Sequence, residues 1–244
     1  RIEESTIRAL RQRLRQPSLG GAALDGKSAI PDAARPLYAD RIGYVQHVDI
    51  GAIAQRLDKK ARLYLLALPG AFVDRARPLA RGVNIDARAE ETIRNAFTID
   101  AMRSFDQDPR FGLAVLSEIA SKALSPALND PGTAIDVIGR AVRVLSLLAD
   151  PPREKSEVKH PSILVPVLSV EDLFDDIFGP IARDGAAIVE VQLRLQKALV
   201  SLATTDPALF GPPARRHSRL ALKRADAGLT LEEDRAAVRA AALR

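Results

Sequence analysis

The sequence predicts an α+β fold, a small β-rich module followed by an all-α helical module. Three observations carry that prediction. Short apolar stretches separated by turn residues run from Gly43 to Val83, and helix-start signals with four-residue apolar spacing take over after Asp86. The 244 residues, 47% hydrophobic and 27% charged, can bury a sizeable core without cross-links. Cysteine is absent, which removes disulfides, thiolate catalysis, zinc fingers and iron–sulfur clusters together. The charge is mildly basic, 36 Lys and Arg against 31 Asp and Glu. Tryptophan is absent and aromatics make up 4%, so stacking surfaces are scarce and no nucleic-acid partner is expected.

The elements follow in order. Ile2, Ile7, Leu10 and Leu14 form one apolar stripe on a leading helix, among Arg1, Arg8, Arg11, Arg13 and Arg15. Pro17 to Pro36, with Gly20-Gly21, Gly26 and Pro31, breaks every periodicity and reads as a linker. Residues 1–36 are therefore a leading helix with its linker. Residues 37–88 form the small β-rich domain: strand patterns at Tyr44 to Ile50, Leu63 to Leu68, Phe72-Val73 and Leu79 to Val83, a turn at Pro69-Gly70, and a helical stretch at Gly51 to Asp58. Residues 89–244 form the helical domain. Its helices run over Glu90 to Ala101, Phe111 to Ala123, Ile135 to Leu148 after the start signal Asp130-Pro131, Ser169 to Ala182, Ala186 to Ala203, and Pro213 to Arg224. Pro151 to Pro161 reads as a polar loop, and Thr230 with Glu233 as the capping box of a last helix.

Few motifs carry chemistry. Gly21, Gly26, Lys27 and Ser28 match the phosphate-loop pattern, but no apolar strand precedes it and Pro31 interrupts the helix it needs, so the segment reads as linker. His47, His160 and His217 are isolated, and no metal ligand set, cofactor or catalytic group is assigned. The densest polar stretches are Arg103 to Gly112 and Ser125 to Thr133. Arg103, Asp106, Gln107, Asp108, Ser125, Asn129 and Asp130 are the candidate site, readable either as helix caps and salt bridges or as the wall of a ligand pocket. The two stretches are expected to lie side by side, with Arg103 paired to Asp130 or Asp108.

Read as Arg-x-Phe-x-Gln-Asp-Pro-x-Phe-Gly and Ala-Leu-Ser-Pro-x-x-Asn-Asp-Pro-x-Thr-Ala, these stretches resemble the bacterial predicted membrane proteins called domain of unknown function 2254. Gly43-Tyr44-Val45-Gln46 and Pro69-Gly70-Ala71-Phe72-Val73 fit the small β domain of that family, which is similar to a lipoyl or biotinyl hammerhead. No Lys occupies the hairpin tip, so carriage of lipoate or biotin is not implied. The resemblance implies several membrane helices ahead of this chain, whose own apolar runs fall well short of the ~20 residues a membrane helix needs. It implies an inner-membrane protein, with this part on the cytoplasmic side; the expected role is assembly or gating of a channel- or transporter-like membrane part, with no catalysis identifiable. The expected partners are its own membrane helices, a second copy in a homo-oligomer formed through Ala186 to Ala203, and an anionic lipid surface met by the basic leading helix. The alternative is an enzyme or small-ligand or anion-binding module using Asp106, Asp108, Asn129 and Asp130.

Overall fold

A computed structural model describes residues 1–24, 29–150 and 157–243, with nine helices and eight strands among them. The phosphate-loop match falls largely on 25–28, outside the described residues. The fold is α+β, divided into two compact units: a sheet unit, Arg8–Phe111 with Pro152–Leu168, and a helical unit, Arg1–Ile7, Gly112–Pro151 and Ser169–Arg244.

In the sheet unit, a five-stranded sheet has the order β1 (Gly21–Leu24), β8 (His160–Pro166), β4 (Arg62–Leu65), β6 (Pro78–Val83), β2 (Arg35–Tyr38). β8 pairs in parallel with both β1 and β4, and the remaining pairs are antiparallel. β4 buries Leu63, Tyr64 and Leu65 in succession, the continuous apolar run of a strand covered on both faces. In β8, Ile163 and Val165 alternate inward. A second, antiparallel sheet orders β5 (Phe72–Val73), β3 (Gly43–Val48) and β7 (Phe97–Asp100). Two short helices, α2 (Ile50–Arg56) and α3 (Ala87–Asn95), start where Asp49 and Asp86 accept the amides of Ala52 and Ala89 at 2.9 and 2.7 Å. Val45, Ile53, Leu63, Leu65, Leu79, Ile93, Ile163 and Val165 share the core of this unit.

Three expectations are corrected here. The segment 17–36 is not linker throughout, because Gly21 opens β1: a Cβ there would lie 2.5 Å from the Ile163 carbonyl, so only glycine lets the two backbones approach this closely. The helix expected over Glu90 to Ala101 ends at Asn95, since Phe97 and Ile99 pair with Val48 and Val45 of β3. The stretch 89–244 is not all helical, since β7 and β8 both lie in it and join sheets whose other strands come from residues 21–83.

The helical unit contains α5 (Pro131–Ser146), α6 (Val170–Asp184), α7 (Val189–Thr205), α8 (Gly211–Gly228) and α9 (Glu232–Ala241). Ser169 caps α6 through the Asp172 amide at 3.1 Å, as its spacing predicts. Thr230 does not cap α9: the helix starts one residue later than that capping box requires, with Leu231 at its N-cap and no side-chain cap bond. α7 packs against α5, α8 and α9 and buries Val191, Leu195, Leu199 and Leu202. The stripe expected to join two copies therefore already has partners inside its own unit. The first turn of the leading helix α1 (Ile2–Arg15) is tied to α5, where Glu3 accepts from Arg143 at 2.7 and 3.1 Å and from Arg140 at 2.8 Å. The hydrogen bond from Arg143 leads in holding the Glu3 carboxyl below the usual carboxylate range.

Candidate functional site

Within the sheet unit the candidate residues lie on the segment that leaves β7 at Asp100 and enters α4 (Pro109–Ala123). Asp108 opens that helix, with Oδ1 accepting from the Phe111 amide at 3.1 Å and Pro109 at the first helical position. Its carboxylate is 2% exposed, and Arg103 donates Nε and Nη2 to Oδ2 at 2.9 and 2.7 Å. The Arg103 guanidinium also covers the Phe111 ring at 5.0 Å, and Phe105 packs on the same ring at 4.8 Å. Burial pushes the Asp108 carboxyl up, with Arg103 pulling it the other way.

Two further groups close on this carboxylate. Gly70, in the Pro69-Gly70 turn, has φ +95, and a Cβ there would overlap the Asp108 carboxylate. Arg13 of α1 is 5% exposed, and burial lowers its pKa to about 10 against the opposing pull of Asp108. Sequence reasoning did not separate Arg13 from the other arginines of the leading helix. Yet Thr6, Ala9, Leu10 and Arg13 are the residues α1 buries, an i, i+3, i+4, i+7 spacing that marks one helix face.

The rest of the segment is fastened to β3. Gln46 donates to the Met102 carbonyl at 2.8 Å, His47 Nδ1 lies 3.0 Å from Asp106 Oδ2, and the Val48 amide donates to Gln107 Oε1 at 3.1 Å. The His47–Asp106 pair is open to solvent, at 41% and 59% side-chain exposure, so its contribution to stability is small. Sequence alone had left His47 without a partner.

Ser125, Asn129 and Asp130 belong to the helical unit, where they build the turn between α4 and α5. Ser125 Oγ donates to the Lys122 carbonyl at 2.7 Å. Asn129 takes φ +45, a left-handed conformation that Asn tolerates better than most residues. Asp130 accepts from the Thr133 hydroxyl at 2.5 Å and amide at 3.1 Å, and these bonds hold its carboxyl below the usual range. Arg103 pairs with Asp108, one of the two partners expected for it. Asp106 and Asp108 fall in one unit, Asn129 and Asp130 in the other. Among the described residues no group of three or more His, Asp or Glu is placed to hold a metal ion.

A second buried polar group in the helical unit also escaped sequence reasoning. His217, 3% exposed and packed beside Phe174 and Phe178, places Nε2 at 3.0 Å from Asp175 Oδ1. Burial, with Arg216 adding, lowers its pKa. The sequence signal was available as His217 on the inward side of an amphipathic helix, but not its pairing with the exposed Asp175.

The fold and the site define an α+β protein of two compact units in which a buried ion pair locks the entry to a helix. Residues 1–201 match the family described as "Predicted membrane protein (DUF2254)", and the chain belongs to that family. It is similar to uncharacterized proteins of Mycobacterium tuberculosis and Mycobacterium bovis, at 35% identity over 131 aligned residues, covering 49% of this chain and 24% of each relative. The match thus spans about a quarter of the length of those relatives. No solved structure matches. Among the described residues no helix is long and apolar enough to cross a membrane.

Proposed function

We propose that this chain is the membrane-facing cytoplasmic region of a bacterial inner-membrane protein and acts in assembly or gating of its membrane part. The observation that carries this reading is the outer face of α1. Arg8, Arg11 and Arg15 are exposed at three- and four-residue spacing, and none has an ion-pair partner among the described residues. Such a stripe is attracted to anionic lipid headgroups by about 1 kcal/mol per cation near the surface. Cytoplasmic segments close to membrane helices collect such cations. Membership of a predicted membrane protein family supports the same reading.

The test is co-flotation of the chain with lipid vesicles. Vesicles containing phosphatidylglycerol are expected to bind it, pure phosphatidylcholine vesicles to bind it far less, and salt to weaken the binding. Replacing Arg8, Arg11 and Arg15 by Gln should lower the partition coefficient by about 100-fold, three cations at the magnitude above. The contrasting stripe on α8, Arg215, Arg219 and Lys223, is also exposed. If charge removal there abolished binding while the α1 variant bound normally, or if both vesicle types bound equally, the reading would fail.

A further inference from the structure

Arg13 carries five N–H donors into the interior of the sheet unit and satisfies them poorly. Its terminal nitrogens reach the Pro17 and Gln107 carbonyls only at 3.5 Å each, the outer limit of a hydrogen bond. Its Nε is buried with no hydrogen-bond partner among the described residues. Asp108 attracts Arg13 through its charge, but its hydrogen bonds go to Arg103 and the Phe111 amide. A buried cation left with open donors is costly, and native proteins ordinarily fill such donors.

Beside Arg13 lies a cavity of about 30 Å³, lined by Ala9, Gln12, Arg13, Gln16, Leu19 and Gln107. The wall offers one guanidinium, three primary amides and two apolar side chains, and no carboxylate. Gln107 gives its oxygen to the Val48 amide, which leaves its NH₂ as the group free to donate. The chemistry of the lining is that of N–H donors around a fixed positive charge. A water molecule occupies about 10–15 Å³ on this measure, so the space suits an ion of one to three heavy atoms rather than a nucleotide or a phosphorylated metabolite.

We propose that the cavity beside Arg13 is a binding site for a small monovalent anion, a halide or a free carboxylate of formate or acetate size, held by the guanidinium and the amides of Gln12, Gln16 and Gln107. The anion completes the donors of Arg13 and adds to the counter-charge that Asp108 already sets against it. The site is independent of the membrane-surface reading, since the arginines of that surface stripe take no part in it.

The test uses the 244-residue chain at constant ionic strength, with sodium gluconate, too bulky for the cavity, as the background salt. Chloride, bromide, formate or acetate replaces gluconate stepwise while thermal unfolding is followed. A saturable rise in midpoint with chloride and bromide alone identifies a halide site, and a rise with formate and acetate as well identifies a carboxylate site. Gln12 and Gln16 are exposed enough for Gln12→Leu with Gln16→Leu to leave the fold intact, and this double variant should raise the half-saturation concentration about tenfold or more. Arg13→Met should abolish the effect if it folds. Bromide crystals should show an anomalous peak within hydrogen-bond distance of Arg13 Nε. A midpoint that rises equally in every salt, or a saturable rise unchanged in the double variant, would overturn the site and leave general screening or an adventitious ion as the explanation.

Discussion

Asp108→Ala is expected to cost about 3–5 kcal/mol of unfolding free energy, the loss seen when one partner of a buried ion pair is removed. Two effects add. The first turn of α4 loses the acceptor for the Phe111 amide, which by itself costs about 1 kcal/mol. The larger effect is that Arg103, at 23% side-chain exposure, and buried Arg13 keep their charges with no carboxylate beside them. Asp108→Asn keeps an oxygen for the amide and the shape of the side chain but removes the charge, so it should recover only the roughly 1 kcal/mol of the cap. Urea unfolding of the three chains checks the order. The pH dependence has a definite sign. Burial raises the folded-state pKa of Asp108, so the native chain takes up this proton before the unfolded chain does. The contribution of this group to stability therefore grows as pH falls through the raised value and levels off below the unfolded value of about 3.9. The wild-type chain should gain on Asp108→Asn over that window. Loss of stability by Asp108→Ala no greater than about 1 kcal/mol would reduce Asp108 to a simple cap.

Gly70→Val should be comparably damaging, at about 3 kcal/mol or more, for a different reason. The backbone at φ +95 disfavours any side chain, and a β-branched one most. The turn cannot relax freely either, because the Gly70 amide donates to the Val45 carbonyl at 2.8 Å and the Val45 amide to the Ala71 carbonyl at 2.9 Å. The added Cβ then meets the Asp108 carboxylate, 2.7 Å from its Cγ. Because the two positions share that space, the losses from Gly70→Ala and Asp108→Ala should sum to more than the loss in the double variant. Strict additivity in unfolding experiments would show that Gly70 is constrained by its backbone angle alone.

Local signals were legible wherever a residue acts on its own neighbourhood. Asp130-Pro131 and Ser169 announce α5 and α6 because a capping side chain and its amide lie three residues apart. The same signal stood at Asp108-Pro109, where it opens α4 two residues before the periodicity suggested. Strands whose partners are distant were not legible. β1 and β7 have four residues each and β8 seven, and all three pair with segments distant in sequence: Gly21 to Leu24 against residues 160–166, Phe97 to Asp100 against β3. The candidate site shows the same division. Pro109 marks Asp108 and not Asp106 as a helix start, but nothing local shows that Asp106 is open to solvent beside His47 while Asp108 is enclosed by Arg103 and Gly70. Arg13 differs from its neighbours Arg11 and Arg15 only in lying on the helix face that carries Ala9 and Leu10. Nothing local to Asp108 reveals that an arginine 95 positions earlier shares its interior.

The membrane-facing assignment has one direct test, which uses the absence of cysteine from this chain. A single cysteine at Thr230, an exposed position, is introduced into the longer membrane protein to which the proposal assigns this chain, with any other cysteines of that protein replaced. Labelling with a membrane-impermeant maleimide is then compared between intact cells and inverted membrane vesicles. The account predicts labelling in the inverted vesicles and protection in intact cells. Labelling in intact cells with protection in inverted vesicles would place this region on the outer face and contradict it.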